Sequence, residues 1–162
     1  MAATPGHNDT VNISAKSDYA VRAMLVLAAT KETKPVKGEI LATAQEIPVK
    51  FLENILLDLR RAGLVISQRG ADGGYRLSRS ATEITLADVI RAVDGPLANI
   101  RGIRPESADY HGPAESLREV WVAMRAAMRS VLETVTLADV AAAKLPKQVR
   151  DMLADPDAWS PH

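Results

Sequence analysis

Apolar side chains recur at helical spacing in three runs between residues 17 and 62 of the chain. Ser17 is a suitable N-cap for the first helical run, and Gly63 is suited to end the third as its C′ residue. A polar connector at 31–35 separates the first two runs, whereas only a tight turn separates the second from the third. The spacing predicts three consecutive helices, over residues 17–30, 36–46 and 48–62.

The periodicity changes after Gly63. Residues 64–67 form a short run rich in β-branched and apolar side chains, and residues 75–78 alternate between apolar and polar side chains. Between them, glycines at 70, 73 and 74 surround a polar tip. Two short strands around a glycine-rich loop predict a β-hairpin.

The same four residues, Thr-Leu-Ala-Asp, occur twice in the second half of the chain, at 85–88 and at 136–139. Each has the Thr-x-x-acid form of a capping box in front of apolar residues, which predicts a helix N-terminus. We expect the first of these helices to run to about Val93 and the second to be the last short helix. A C-terminal tail with three prolines follows at 144–162.

A long amphipathic helix is predicted between these two capping boxes. Residues 99–113 hold two glycines and two prolines with few apolar side chains and predict a loop, and Ser116 with Glu119 forms a further capping box. Behind it, apolar residues alternate between spacings of four and three, as in a coiled-coil seam. We expect this seam to mediate dimerisation, and packing on its own domain is the alternative. This predicted seam consists of Leu117, Trp121, Met124, Met128, Val131 and Val135.

This order of elements is the layout of a winged helix-turn-helix. We expect a mainly α fold with a small β-hairpin wing, in which the winged helix-turn-helix is followed by a long C-terminal dimerisation helix. The predicted segments are a disordered N-terminal tail (1–11), the winged helix-turn-helix domain (12–95), a loop (96–112), dimerisation helices (113–143) and the C-terminal tail (144–162).

The second and third predicted helices meet the packing requirements of a helix-turn-helix. Ala42 is the small residue needed where the two helices cross closely. The turn, however, places Glu46 at the position that is often glycine because its backbone is left-handed, at a cost of ~1 kcal/mol. Apolar residues are needed where the helices meet, and Leu41, Ile47, Leu52 and Ile55 supply them.

The second helix of such a motif lies in the major groove, and its N-terminal residues reach the base edges. Here those residues include Val49, Lys50, Glu53 and Asn54. Lys50 suits a phosphate or guanine, Asn54 can bond adenine through two atoms, and Glu53 can accept a hydrogen bond from cytosine N4.

Two further groups complete the predicted DNA-binding surface. Arg60 and Arg61 lie at the far end of the same helix, where they would meet phosphate or remain solvated. Arg69 precedes the hairpin tip and is placed to enter a minor groove, while Gly73 and Gly74 would let the wing approach the DNA backbone.

Composition limits the chemistry that the chain can support. It contains no cysteine, which excludes disulfides, thiolate zinc sites, cysteine-ligated iron–sulfur clusters and thiol nucleophiles. Its 20 basic and 20 acidic residues balance, but residues 1–80 hold 11 basic against 8 acidic residues and residues 81–162 hold 9 against 12. A mildly basic N-terminal half is suited to a polyanion, although random placement of charges explains the same counts.

No motif for catalysis or for membrane insertion is evident. Paired catalytic carboxylates, a Ser/His/Asp set and a phosphate loop are all missing, so an enzyme is not expected. No apolar run approaches the ~18 residues of a membrane span. The polar start, MAATPGHNDT, has neither the basic nor the apolar region of a signal peptide, and we expect a cytoplasmic protein.

Four motifs resemble one known family. They are Ser14–Met24, Phe51–Asn54, Leu59–Val65 and the wing sequence Arg69–Leu77. Over about residues 12–143 the chain is similar to the Rrf2 family of bacterial winged helix-turn-helix transcription factors (the IscR, NsrR and CymR group). The resemblance implies a homodimer formed through a long helix at about 113–135, with Glu53 and Arg69 helping to read the operator.

The resemblance also bears on the loop at 99–113. Family members that sense through an iron–sulfur cluster carry three cysteines there, and this loop has none, so no cofactor is expected. Glu106, Asp109 and His111 are oxygen and nitrogen donors within six residues, so a metal site stays an alternative to a solvated loop. Asp18 matches a carboxylate that some cluster-binding relatives use, a role that is not expected without thiolates.

Together these features predict a homodimeric transcriptional repressor that binds a pseudo-palindromic double-stranded DNA operator. The sequence does not identify the signal to which it responds, and either a small-molecule or a protein effector would fit. The alternative is a winged-helix module that acts through a partner protein rather than by direct DNA binding, which the neutral net charge and Glu46 permit. A gel-shift experiment separates the two.

Overall fold

The computed structural model describes residues 12–30 and 34–162. The predicted disordered segment 1–11 and residues 31–33 of the predicted connector lie outside the described residues. Among the described residues, no helix is long and apolar enough to span a bilayer. The elements are α1 (Ala15–Ala29), α2 (Gly38–Gln45), α3 (Val49–Arg61), β1 (Val65–Gln68), β2 (Gly74–Leu77), α4 (Leu86–Asp94), α5 (Leu117–Leu132), α6 (Leu137–Ala141) and α7 (Lys147–Leu153).

Helix α1 lies at the centre of the fold and packs against α2, α3, α4 and α6. Its N-cap is Ser14, whose side chain accepts a hydrogen bond from the Ser17 amide, so the prediction that Ser17 is the cap is wrong by one turn. Ser17 is instead fully buried, and its hydroxyl donates to the carboxylate of Asp94 at the end of α4. The Ser14 hydroxyl donates to the same carboxylate. The two serines therefore join the start of α1 to the end of α4.

Helices α2 and α3 form the predicted helix-turn-helix. Ala42 is buried at the crossing, and the left-handed residue of the turn is Glu46, with φ 52° and ψ 45°. Arg22 of α1 donates from Nη1 to the carbonyl of Gln45 at 2.8 Å, which satisfies a backbone acceptor at the end of α2. The four apolar residues that were expected to join the helices are all buried: Leu41, Ile47, Leu52 and Ile55.

The hairpin forms as predicted, and the backbone at Val36 pairs with its second strand. Strands β1 and β2 pair antiparallel, with Val65 opposite Leu77 and Gln68 opposite Gly74. Tyr75 also exchanges two backbone hydrogen bonds with Val36, at 2.7 and 2.8 Å. The wing is therefore anchored to the segment that leads into α2.

Helix α6 packs in the hydrophobic core formed by the winged helix-turn-helix elements, although it lies in the segment predicted to hold the dimerisation helices. Leu137 is fully buried within the same hydrophobic cluster as the residues of α1 and α3. Thr85 and Thr136 form an antiparallel bridge, and both capping boxes are complete. The predicted dimerisation unit 113–143 thus contains one helix, α6, that belongs to the DNA-binding domain.

Helix α5 begins at Leu117, but the predicted cap at Ser116 does not form. The backbone of Ser116 is already helical (φ −74°, ψ −5°) because a 3₁₀ turn precedes it, so its side chain makes no capping hydrogen bond. No residue of α5 is buried in the single chain. Val135 lies beyond the helix and is only 3% exposed, so it packs in its own chain and not in the predicted seam.

The segment 144–162 is more ordered than the predicted tail. It contains α7, which begins after Pro146 and carries an ion pair between Lys147 and Asp151 at 2.5 Å. A 3₁₀ turn at 156–159 follows and packs on α7. Pro146 precedes the first helical residue, a position where a proline is compatible with helix formation.

Candidate nucleic-acid interface

Helix α3 presents one apolar face to the core and one polar face to solvent. Lys50, Glu53 and Asn54 are exposed on the outer face, and Val49 beside them is half exposed. The inner face consists of Leu52, Ile55, Leu56 and Leu59, each at most 2% exposed. Burial of four large apolar side chains, worth ~1.5–3 kcal/mol each, holds the polar residues outward.

The first turn of α3 leaves its backbone amides without a side-chain cap. Pro48 occupies the N-cap position and has no side-chain oxygen that could accept a hydrogen bond. The first turn also contains no acidic residue, so the positive end of the helix dipole is not neutralised locally. This end of α3 therefore favours an anion such as a backbone phosphate.

The wing stands next to this end of α3. An open groove of about 380 Å³ lies between them, and both Glu53 and the wing glycines Gly70, Gly73 and Gly74 line it. Lys37 and Gln68 line it as well, and the sequence analysis missed both. Their only signal in the sequence is their position, immediately before α2 and at the end of β1.

Contacts within the chain explain why Gly73 and Gly74 of the wing are glycines. A Cβ on Gly73 would lie 2.3 Å from the carbonyl oxygen of Gln68, and a Cβ on Gly74 would lie 2.5 Å from the carbonyl of Val36. Gly74 also has φ +148°, and Gly73 is buried. These glycines let the wing pack against its own backbone and against the Val36 segment. Their approach to the DNA backbone stays a prediction. Arg69, before the tip, is exposed.

The two arginines at the end of α3 lie on different flanks of the helix. Arg60 donates from Nη1 to the Ser67 hydroxyl at 3.3 Å and so reaches toward β1. Arg61 lines a separate cavity with Lys16 and Asn54, away from the wing. The structure therefore places Arg60 with the hairpin and Arg61 with α1.

The surface has several cations that are free of intramolecular ion pairs. Within residues 12–30 and 34–162, no salt bridge involves Lys37, Lys50, Arg61, Arg69 or Arg76. Cations that are not neutralised within the protein remain able to replace the counterions of a nucleic acid.

The loop after α4 does not fit a metal centre. The chain has no thiolate, and the Glu106 carboxylate is engaged by Arg125. In the part of the chain that the structure describes, no group of three or more His, Asp or Glu side chains converges. Asp18 of α1 pairs with Arg22 at 3.0 Å.

Comparisons with known proteins agree with this geometry. Residues 13–143 match the Rrf2 family model, which is described as an iron-dependent transcriptional regulator. A putative HTH-type transcriptional regulator of Mycobacterium tuberculosis is 51% identical over 145 residues, which are 90% of each chain. The HTH-type transcriptional regulator CymR of Bacillus subtilis is 35% identical over 131 residues, covering 81% of this chain and 90% of CymR.

Solved structures of related regulators have the same fold. The structure of CymR, the global cysteine regulator of B. subtilis, superposes with a TM-score of 0.69 and covers 82% of this chain and 97% of that one. The structure of T. potens IscR has 30% identity and a TM-score of 0.64, and covers 93% of both chains. The relatives are regulators rather than enzymes. The chain therefore belongs to the Rrf2 family and is a DNA-binding transcriptional regulator.

Proposed function

We propose that the protein is a homodimeric repressor that binds a pseudo-palindromic operator with two copies of α3 and two wings. The observation that carries this proposal is the outer face of α3, where Lys50, Glu53 and Asn54 are exposed and Glu53 lines the groove beside the wing. Within residues 12–30 and 34–162, neither Lys50 nor Glu53 forms a salt bridge. Lys50 and the uncapped helix end would contact phosphate, while Glu53 and Asn54 would read base edges. In a bacterium, such a repressor would act in the cytoplasm.

The proposed dimer is supported by α5. Its apolar side chains Leu117, Met124 and Val131 remain partly exposed in the single chain, and Val120 is 54% exposed. Val120 was not in the predicted seam, but it extends the same apolar side of a helix with about 3.6 residues per turn. A second copy would cover this face. Trp121 is already held by its own chain, since its Nε1 donates to the Tyr110 hydroxyl at 3.0 Å.

Selection from a random duplex pool followed by a gel shift tests sequence-specific DNA binding. The purified full chain is expected to enrich a sequence with two related half-sites, since a two-fold dimer presents two equivalent helices. Arg69→Ala and Glu53→Ala are each expected to weaken binding to the selected duplex about tenfold, because one base or backbone contact is lost. Affinity should also fall steeply with salt.

Matched controls lie on α5. Arg118→Ala and Glu119→Ala remove the same charges from exposed positions away from α3 and should leave affinity unchanged. If the folded protein enriches no sequence and shifts no duplex at low salt, direct DNA reading is refuted and the partner-protein module is favoured. If Arg69→Ala and Glu53→Ala bind as tightly as the unchanged protein, these two side chains are not contacts.

A further inference from the structure

An arginine-rich cavity lies between α4 and α5, and no residue of α2, α3 or the wing lines it. It occupies about 540 Å³ between the end of α4, the loop that follows and α5. Four guanidinium groups line it, one from α4, one from the loop and two from α5: Arg91, Arg104, Arg125 and Arg129. We call this cavity the arginine pocket. Its volume is within the roughly 300–1,000 Å³ that is usual for small-molecule sites.

The positive charge of the arginine pocket is only partly compensated. Glu106 accepts a hydrogen bond from Arg125, and Glu133 accepts from both Arg91 and Arg129, the latter at 2.9 Å. Within residues 12–30 and 34–162, the Arg104 guanidinium makes no hydrogen bond or salt bridge, although its charge contributes to lowering the pKa of the nearby Glu106 carboxyl. Four guanidinium groups thus face two carboxylates, so the pocket retains an excess of positive charge.

Both carboxylates are ionised at neutral pH. The pKa of Glu106 is lowered by its own backbone hydrogen bond and by Arg125, and the pKa of Glu133 is lowered by Arg91 and Arg129. Protonation therefore does not change the balance of charges near pH 7. The excess charge is a fixed property of the pocket.

Guanidinium groups on three different elements suit an anion that they can approach from several sides. Arginine presents planar pairs of donors that match the oxygens of carboxylate, sulfate and phosphate groups. Pro96, Leu97 and Ala98 add apolar wall to the arginine pocket, which suits an organic ligand. A monoatomic ion would leave most of this volume unused.

We propose that the arginine pocket binds a small molecule carrying a carboxylate, sulfate or phosphate group and serves as the effector site of the regulator. The ligand would join α4, which packs against α1 and α3, to α5, which carries the proposed dimer face. The term effector rests on the proposed function, whereas the binding site itself does not.

Isothermal titration calorimetry without DNA tests the site directly. The probes are inorganic phosphate, sulfate, citrate and adenosine monophosphate, titrated at millimolar concentration with ionic strength held constant by chloride. We expect at least one probe to bind with one site per chain. Arg104→Gln should weaken binding of that probe about tenfold, because it removes a guanidinium that lines the pocket without breaking a side-chain hydrogen bond or salt bridge.

The matched control is Arg118→Gln, which removes the same charge from an exposed position on α5 outside the pocket. It should bind the probe as the unchanged protein does. The site assignment is overturned if no probe binds, or if Arg104→Gln and Arg118→Gln weaken binding equally. It is also overturned if Arg104→Gln weakens binding to the selected duplex in the absence of any probe, because the pocket would then bind DNA phosphate.

A gel shift with and without the probe that binds tests the effector role. The probe should change the affinity of the unchanged protein for its selected duplex and should leave that of Arg104→Gln unchanged at the same concentration. A probe that binds in the calorimeter but leaves DNA affinity unchanged overturns the effector role. Because calorimetry needs no DNA, it can detect ligand binding at the arginine pocket even if the protein does not bind DNA. The two proposals can therefore fail separately.

Discussion

Thr85 and Thr136 lie opposite each other in an antiparallel bridge, and each also caps the helix that follows it. The amide of Leu86 donates to the carbonyl of Val135 at 3.0 Å, and the amide of Leu137 donates to the carbonyl of Ile84 at 2.9 Å. The two copies of Thr-Leu-Ala-Asp are therefore in direct contact. Together they hold α6 against the core.

Thr136→Ala is expected to destabilise the protein by about 1 kcal/mol, because the hydroxyl that accepts from the Asp139 amide is lost. Urea unfolding measures the change in the free energy of unfolding. Thr136→Ser keeps the accepting oxygen and should restore most of the loss. Equal destabilisation by alanine and serine would show that the methyl group, not the cap, is responsible.

Glu46→Gly is expected to stabilise the protein by up to ~1 kcal/mol, since a left-handed backbone costs glycine nothing. Glycine also raises the entropy of the unfolded chain, which limits the gain. Ala44→Gly, an exposed change within α2, is the control and should destabilise by ~0.5–1 kcal/mol. If both variants lose stability in thermal or urea unfolding, strain at the turn is refuted.

Gly74→Ala is expected to loosen the wing, because the new Cβ would lie 2.5 Å from the backbone of Val36. Gly70→Ala is the matched comparison: its φ is also positive, at +106°, but no atom lies within 4 Å of its Cβ. The difference between the two variants isolates the clash from the backbone strain. Faster amide hydrogen exchange at Val36 and Tyr75 in Gly74→Ala alone is the expected result, and equal exchange in both variants would contradict it.

The contact between α4 and α5 is expected to weaken in acid. Arg91, and then Arg129, lowers the pKa of Glu133 below its ordinary value of 4.5, so this carboxylate stabilises the fold above that pH. The contribution is lost as the pH falls through the lower pKa of the folded state. The stability difference between the unchanged protein and Glu133→Gln should therefore shrink below about pH 4.5.

Repeating that comparison in an Arg91→Gln background provides the control. Because the hydrogen bond and charge of Arg91 are then missing, the stability difference caused by Glu133→Gln should be smaller at neutral pH. The urea unfolding free energies of the four proteins form a double-mutant cycle. A coupling near zero at neutral pH would show that this ion pair does not join α4 to α5.

Met124→Glu is expected to shift the protein from dimer to monomer, because it places a charge on the partly exposed apolar side of α5. Ala126→Glu makes the same charge change on the exposed, opposite side of the helix and should remain dimeric. Sedimentation velocity measures both. A monomeric unchanged protein, or a dimeric Met124→Glu, would contradict the proposed interface.

Most features set by neighbouring residues could be predicted from the sequence, although the caps predicted at Ser17 and Ser116 do not form. The helix-turn-helix, the left-handed Glu46, the hairpin and the caps at Thr85 and Thr136 depend on local backbone chemistry and periodicity. Contacts between distant segments could not be predicted, because no local pattern encodes them. Val135 fits the heptad spacing of α5, yet its position is decided by the bridge to residue 85. The arginine pocket likewise requires three elements to come together.

The bridge between Thr85 and Thr136 also has a consequence for how such a regulator can change. It brings the two ends of the intervening segment side by side. Helix α4 packs back on α1 and α3, so the loop and α5 are the part of this segment that extends away from the core and returns to it. A loop whose ends are fixed together tolerates changes in length and content at small entropic cost. The loop and α5 can therefore change in sequence and length while the helix-turn-helix and the wing keep their shape.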